Sequence, residues 1–137
     1  MILDKFDLTG KTAIVTGAGT GLGRAMALAM ADAGCDIYGA ARRIEPLEET
    51  KRLVEAKGRR MEIRSTDVTV TAEVNDMVND AIAQFGRVDI LINNAGITSR
   101  GRGKTFPELD DEDWRVGIDV NLSSAFYCSR AIIDHFL

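Results

Sequence analysis

The segment Thr16-Gly17-Ala18-Gly19-Thr20-Gly21-Leu22-Gly23 stands between an apolar run, Ala13-Ile14-Val15, and a helix-forming stretch from Arg24 to Ala33. A strand, a glycine-rich turn and a helix in that order leave few architectures open. Glycine tolerates positive φ and lets a ligand approach the backbone, while the N–H groups that open the helix point at an anion. The arrangement predicts a phosphate cradle, and the unit that carries such cradles is a βαβ crossover in a parallel sheet.

The spacing of the glycines narrows the ligand. G-x-G-x-x-G does not occur here: counted from Gly17, Gly19 and Gly21, its last position falls on Leu22, Arg24 and Met26. G-x-x-x-x-G-K-[ST] is also absent, which disfavours a nucleoside triphosphate. What fits is T-G-x-x-x-G-x-G, with Gly17, Gly21 and Gly23 as its glycines. Two further segments follow in order. Asp67-Val68 succeeds the strand-like Met61 to Arg64, and Asn93-Asn94-Ala95-Gly96 succeeds the apolar Val88 to Ile92. With these three segments the chain resembles the short-chain dehydrogenase/reductase family, over essentially its whole length. Met1-Ile2-Leu3, Phe6 and Ala33-Gly34-Cys35-Asp36-Ile37 are similar to that family's sugar-acid members, the deoxygluconate and gluconate dehydrogenases.

The resemblance implies a nicotinamide dinucleotide, NAD(P)(H), contacted by Gly17, Thr20, Gly21, Leu22 and Gly23. It implies that Asp67 hydrogen-bonds the adenine, that Val68 packs on that ring, and that Asn94, Ala95 and Gly96 support the sheet and border the cofactor. Family chemistry moves a hydride between nicotinamide and a secondary alcohol or ketone. A Tyr exchanges the proton, a Lys four residues later lowers its pKa, and a Ser positions the substrate oxygen. Phenol titrates near ~10, so a neighbouring cation is needed for it to act as a base at neutral pH. Tyr38 lies within a strand and Tyr127 is followed at four residues by Ala131, so neither fits. Only Asn121 matches a member of the family's catalytic tetrad, where it holds a water for the proton relay. Residues 1–137 are therefore expected to be an NAD(P)-binding domain truncated before the Ser/Tyr/Lys segment, inactive alone. The alternative is a noncatalytic dinucleotide-binding or interaction module.

A carboxylate at the end of the second strand would bond the adenosine ribose of NAD and repel a 2′-phosphate. By the family resemblance that position is Ala41, followed by Arg42 and Arg43, with Glu45 close behind. A guanidinium suits phosphate, so the reading leans towards NADP with Arg42 as the contact.

Strand and helix signals alternate: strands over Lys11–Val15, Asp36–Ala40, Met61–Arg64 and Val88–Ile92, helices over Leu22–Ala33 and Pro46–Ala56. The second of these should turn Leu47, Leu53 and Val54 inward. A further helix carries Val74, Met77, Val78, Ala81, Ile82 and Phe85 at helical spacing, capped by Thr69 or Thr71 and ended by Gly86. A long helix is expected from Asp110 to Leu137, its acidic start favoured by the helix dipole. Trp114, Ile118, Leu122, Ala125, Ser129, Ile132 and Phe136 form its inward stripe. Val116, Val120, Tyr127 and Ala131 widen the apolar surface, which predicts a homo-oligomer, dimer or tetramer, through this helix. The fold class expected is α/β, a Rossmann-type doubly wound parallel sheet, here its N-terminal portion of about four strands and four helices. The loop between Ile97 and Pro107 follows the fourth strand, where α/β clefts open, and Arg100, Arg102 and Lys104 could meet an anionic substrate.

Composition closes off other classes. A chain of 137 residues with 45% hydrophobic content fits one globular domain, and a net charge of −4 offers nothing to nucleic acid beyond the small pairs Arg42-Arg43 and Arg59-Arg60. No apolar run approaches the ~20 residues of a membrane span, and the N-terminus lacks a signal-peptide pattern, so a cytoplasmic location is expected. Cys35, Cys128 and the single His135 suggest neither a disulfide framework nor a metal site, and both cysteines are read as reduced packing residues.

Overall fold

The computed structural model describes residues 1–97 and 103–137. Four parallel strands, β1 (Thr12–Thr16), β2 (Asp36–Ala41), β3 (Met61–Ser65) and β4 (Ile90–Ile92), form one sheet in the order β3-β2-β1-β4. The register pairs Ile14 with Tyr38 and with Leu91, so β1 lies at the centre. Helices α1 (Gly21–Asp32), α2 (Ile44–Glu55) and α3 (Thr71–Phe85) fill the crossovers. Two helices, α4 (Asp111–Ile118) and α5 (Ser124–Phe136), follow β4 and are joined by a π-helical turn over Asp119–Ser123. This is the Rossmann-type doubly wound arrangement that the alternation predicts.

Side chains alternate across a strand, so consecutive residues feed two cores. Ala13, Val15 and Ile37 face α1 and α2, joining Ala27, Ala31, Leu47 and Val54. Ile14, Tyr38 and Ala40 face α3 and α5, joining Val74, Met77, Val78, Ala81, Cys128 and Ile132. Burial on both faces explains why the middle of β1, Ala13 to Val15, is wholly apolar. Cys35 and Cys128 are free and buried, one in each core. Tyr38 donates its hydroxyl to Asp80 at 2.5 Å beneath the sheet, and burial followed by this carboxylate pushes its pKa up.

Several expectations need correction. The fourth strand is Ile90–Ile92 rather than Val88–Ile92, and its residues are half-buried because β4 forms a sheet edge. The Val88 N–H is turned to His135 Nε2 at 3.1 Å, which ties the end of α5 to the start of the strand. Neither Thr69 nor Thr71 caps α3: the N-cap is Val70, and the Thr69 hydroxyl donates to Asp67 instead. Gly86 does end α3, in the left-handed conformation at φ 74°. In α2 the buried residues are Leu47, Thr50 and Val54, with Leu53 only half-buried.

The helix expected over Asp110–Leu137 departs furthest. Asp110 caps it through a reciprocal pair, accepting from the Asp113 N–H at 2.8 Å while Asp113 accepts from the Asp110 N–H at 3.1 Å. The π turn then inserts an extra residue and rotates everything beyond it, so no single stripe survives. Ser124, Cys128 and Ile132 are buried in α5, whereas Trp114 and Leu122, placed inward by simple periodicity, are 71% and 64% exposed. Tyr127 and Ala131 pack against the core, and Val116 and Val120 line a cleft. The large apolar residues left exposed on this helical segment are Trp114, Leu122, Phe126, Ile133 and Phe136, the last also expected inward. Among the described residues no helix is long and apolar enough to cross a membrane.

Two substitutions separate packing from backbone energetics. Met77 is fully buried, so Met77→Ala should cost ~2–5 kcal/mol. Gly86 has open space where a Cβ would go, so Gly86→Ala should cost only the left-handed backbone penalty of ~1–2 kcal/mol. Urea unfolding should rank the two in that order.

Candidate functional site: a cleft at the carboxyl edge of the sheet

Strands are added to one side of β1 up to β3 and to its other side at β4, and a cleft of about 650 Å³ opens at that switch beyond the strand ends. Gly17, Gly19 and Thr20 form one bank. Ala41, Arg42, Arg43 and Pro46 form a second, Thr66 to Thr69 a third, and Ala95, Gly96 and Ile97 the far wall with Val116, Asp119 and Val120.

The glycines have separate reasons. At φ 68° Gly17 takes a backbone conformation that side chains resist, and a Cβ on it would lie 2.9 Å from Asn94 Nδ2. A Cβ on Gly23 would sit 2.0 Å from the Gly17 carbonyl oxygen, so this glycine allows α1 to close on the strand. Gly21, at φ 53°, has nothing within 4 Å of its would-be Cβ and presents bare backbone to solvent. With Thr20 extended as the N-cap, the first N–H groups of α1 lack intrahelical acceptors and are available to an anion.

Thr16 joins this loop to the end of β4. Its hydroxyl oxygen accepts from the N–H groups of Asn94 at 3.1 Å and Ala95 at 3.0 Å, and its proton is directed at the Ile92 carbonyl, 3.3 Å away. Asn94 Nδ2 returns bonds to the carbonyls of Thr16 and Gly17 at 3.1 and 3.3 Å. Asn94 is therefore a fastener behind the loop rather than part of the cleft wall. Asn93 turns away and donates to Ser129 Oγ at 3.2 Å.

Asp67 accepts at Oδ1 from the Thr69 N–H at 2.9 Å and the Thr69 hydroxyl at 2.6 Å. The Thr69 hydroxyl above all, with the Thr69 N–H and the nearby Arg42 charge, holds the Asp67 carboxyl below its usual range. An ionised acceptor at the cleft suits an amino donor. The Arg42 backbone is fixed by Ser65 Oγ, which donates to its carbonyl at 2.7 Å. Glu45 does not line the cleft.

Asn121 lies within the π turn, and its amide pairs with the backbone of Ile97. Oδ1 accepts from the Ile97 N–H at 3.0 Å, and Nδ2 donates to the carbonyls of Ile97 at 3.1 Å and Gly117 at 3.0 Å. A Cβ on Gly96 would stand 2.6 Å from Asn121 Oδ1, which accounts for glycine there. Asn121 opens onto a second hollow of about 390 Å³, shared with Phe106, Leu109 and Trp114.

Of the residues expected to form the site, Gly17, Thr20, Arg42, Asp67, Val68, Ala95 and Gly96 line the cleft. Gly21 and Leu22 stand exposed on the first turn of α1, while Gly23, Asn94 and Asn121 act from behind. Thr66, Val116 and Asp119 also line the cleft and were not anticipated from the sequence; only the tertiary path of α4 and the π turn brings the last two there. Lys104 pairs with Asp113 at 2.6 Å, whereas Arg100 and Arg102 lie outside the described residues.

Comparison with known proteins agrees with this geometry. The family model described as short chain dehydrogenase matches residues 11–137. The chain is 42% identical over 137 residues to the 2-dehydro-3-deoxy-D-gluconate 5-dehydrogenase of Escherichia coli (strain K12), covering 100% of this chain and 52% of that one. A crystal structure of a short-chain type dehydrogenase/reductase from Mycobacterium marinum superposes with a TM-score of 0.93 at 32% identity, over 98% of this chain and 53% of that one. An NAD-bound short chain dehydrogenase from Mycobacterium paratuberculosis gives a TM-score of 0.87 at 30% identity, over 95% and 52% of the two chains. The chain belongs to the short chain dehydrogenase family. It spans about half the length of the curated relatives it matches.

Two outcomes follow. Thr16→Val strands the N–H groups of Asn94 and Ala95 and should cost ~1–3 kcal/mol for each, whereas Thr16→Ser should stay near wild type in denaturant unfolding. Because the folded-state pKa of Asp67 is depressed, its contribution to stability is complete above the ordinary carboxylate range near ~4 and is lost as pH falls through the lower folded-state value. Thr69→Val should raise the Asp67 titration towards the ordinary range in a carboxyl-carbon NMR titration.

Proposed function

We propose that this chain is the cofactor-binding part of a nicotinamide-dependent dehydrogenase that interconverts a secondary alcohol and a ketone on a sugar acid or polyol. The observation that carries the reading is the cleft itself. Bare backbone at Gly21 and the open first turn of α1 seat a pyrophosphate, Asp67 accepts from an adenine, and Val68 packs beside that ring. Bound there, the dinucleotide would supply a hydride acceptor or donor. The sugar-acid class is suggested by the resemblance to 2-dehydro-3-deoxy-D-gluconate 5-dehydrogenases.

On this reading NADP is the preferred form. No acid occupies Ala41, and Arg42 and Arg43 line the bank where a 2′-phosphate would lie, the guanidinium fork matching phosphate geometry. Asn121 contributes by holding the Ile97 backbone beside the cleft and by placing a water for the proton relay. The proton-transferring Ser, Tyr and Lys belong to polypeptide outside residues 1–137. Within the chain, Tyr38 is sealed beneath the sheet against Asp80, and Tyr127 sits on α5 against Arg130. On this reading the protein works in the cytoplasm and self-associates through the helical segment 110–137, which leaves Trp114, Leu122, Phe126 and Ile133 exposed.

Calorimetry on the folded chain tests the cofactor assignment. NADPH should bind more tightly than NADH, and Arg42→Ala should erase the difference, by about tenfold for one charge-assisted contact. Gly21→Val should abolish binding of both, while Gly23→Val should damage the fold first, because its side chain meets Gly17 rather than the ligand. Equal affinity for both nucleotides in wild type would remove the NADP preference, and unchanged binding by Gly21→Val would remove the phosphate seat.

A further inference from the structure

Arg24 follows the last loop glycine and is not part of the cleft wall, yet its guanidinium reaches both banks from behind. Nη2 donates to the Gly19 carbonyl at 2.6 Å and to the Pro46 carbonyl at 3.1 Å, and Nε donates to Thr50 Oγ1 at 3.0 Å. Thr50 is fully buried, and its single hydroxyl proton faces the carbonyls of Ala18 at 2.9 Å and Pro46 at 3.1 Å. Two consecutive loop carbonyls, those of Ala18 and Gly19, are thereby tied to the first two turns of α2, directly through Thr50 and through Arg24 to Pro46. The banks also lie close together: a Cβ on Gly19 would stand 3.0 Å from Pro46 Cβ. Gly19 and Thr20 face the cleft from one side, and Arg42, Arg43 and Pro46 from the other.

We propose that Arg24 is a positioning residue which, together with Thr50, fixes the separation of the glycine loop from the α2 entry and so sets the seat for the adenosine ribose and its phosphate. The inference rests on the nucleotide reading of the cleft. A planar, permanently charged fork can hold several carbonyls at fixed angles, which a lysine cannot do with one flexible ammonium. The same charge, one peptide behind the cradle, adds positive potential where phosphate would sit. A pre-formed seat removes the ordering cost that ligand binding would otherwise carry.

The test is calorimetric titration of the full chain with ADP-ribose. Arg24→Met and Thr50→Val should each weaken binding by about tenfold, and the double variant should lose little more than the larger single loss, because the two act as one clamp. Arg24→Lys should fall between wild type and Arg24→Met. Arg60, whose guanidinium donates to the Gln84 carbonyl at 2.8 Å and stacks on Phe85 away from the cleft, serves as control. Arg60→Met should lower stability and leave affinity unchanged. If Arg24→Met does not fold, Thr50→Val, nearly isosteric, decides alone. Wild-type affinity in Thr50→Val and in folded Arg24→Met, or an equal loss in Arg60→Met, overturns the clamp while the nucleotide reading stands. No ADP-ribose binding by wild type overturns that reading and the clamp with it.

Discussion

The hydroxyl of Thr16 is the contact on which the cleft depends. Strand ends in a parallel sheet carry backbone groups with no neighbour to pair with, and such groups must find partners when buried. Here one oxygen accepts two consecutive N–H groups from the turn after β4, and Asn94 returns two bonds to the turn after β1. The switch between the two sides of the sheet is closed at its base and open at its rim. Gly17 and Gly23 are the steric terms of the same arrangement, since any Cβ on either would strike the fastener or the loop it holds.

From that base the wall of the cleft is built outward by side-chain amides and carboxylates that substitute for missing ladder bonds. Asn121 pairs with Ile97 in both directions, as a neighbouring strand would. Asp67 is pinned by Thr69, which leaves its other oxygen outside those bonds. Arg24 and Thr50 perform the equivalent service between the glycine loop and α2. The cleft is backbone held from behind by polar side chains, with glycine at Gly17, Gly19 and Gly96 and charged or polar side chains at Arg42, Arg43, Asp67 and Asp119 along its wall.

The sheet and its three crossover helices were legible because their apolar residues recur with the periods of the elements that bury them. Ala13, Ile14 and Val15 feed two cores, and Val74, Met77, Val78 and Ala81 mark one face of α3. The cleft residues were legible from motif spacing at Gly17, Asp67 and Gly96, where backbone approach or a fixed carboxylate is needed. What followed β4 was not, because a π turn leaves no trace in a count of threes and fours. Beyond the turn the buried row is Ser124, Cys128 and Ile132, while Trp114 and Leu122 stay exposed and Val116, Asp119 and Val120 line the cleft. The Thr69 hydroxyl donates to Asp67 and no helix N–H reaches it as a cap, a choice between local partners that spacing alone does not decide.

On the proposed reading, the cleft at the switch between β1 and β4 seats the phosphates and adenosine of a dinucleotide. The most direct measurement is an amide chemical-shift map of the chain titrated with ADP-ribose. The largest shifts should fall on Gly17 to Gly21, Arg42, Asp67, Val68, Ala95 and Gly96. Shifts absent from these amides, or gathered in the hollow beside Trp114, would contradict it.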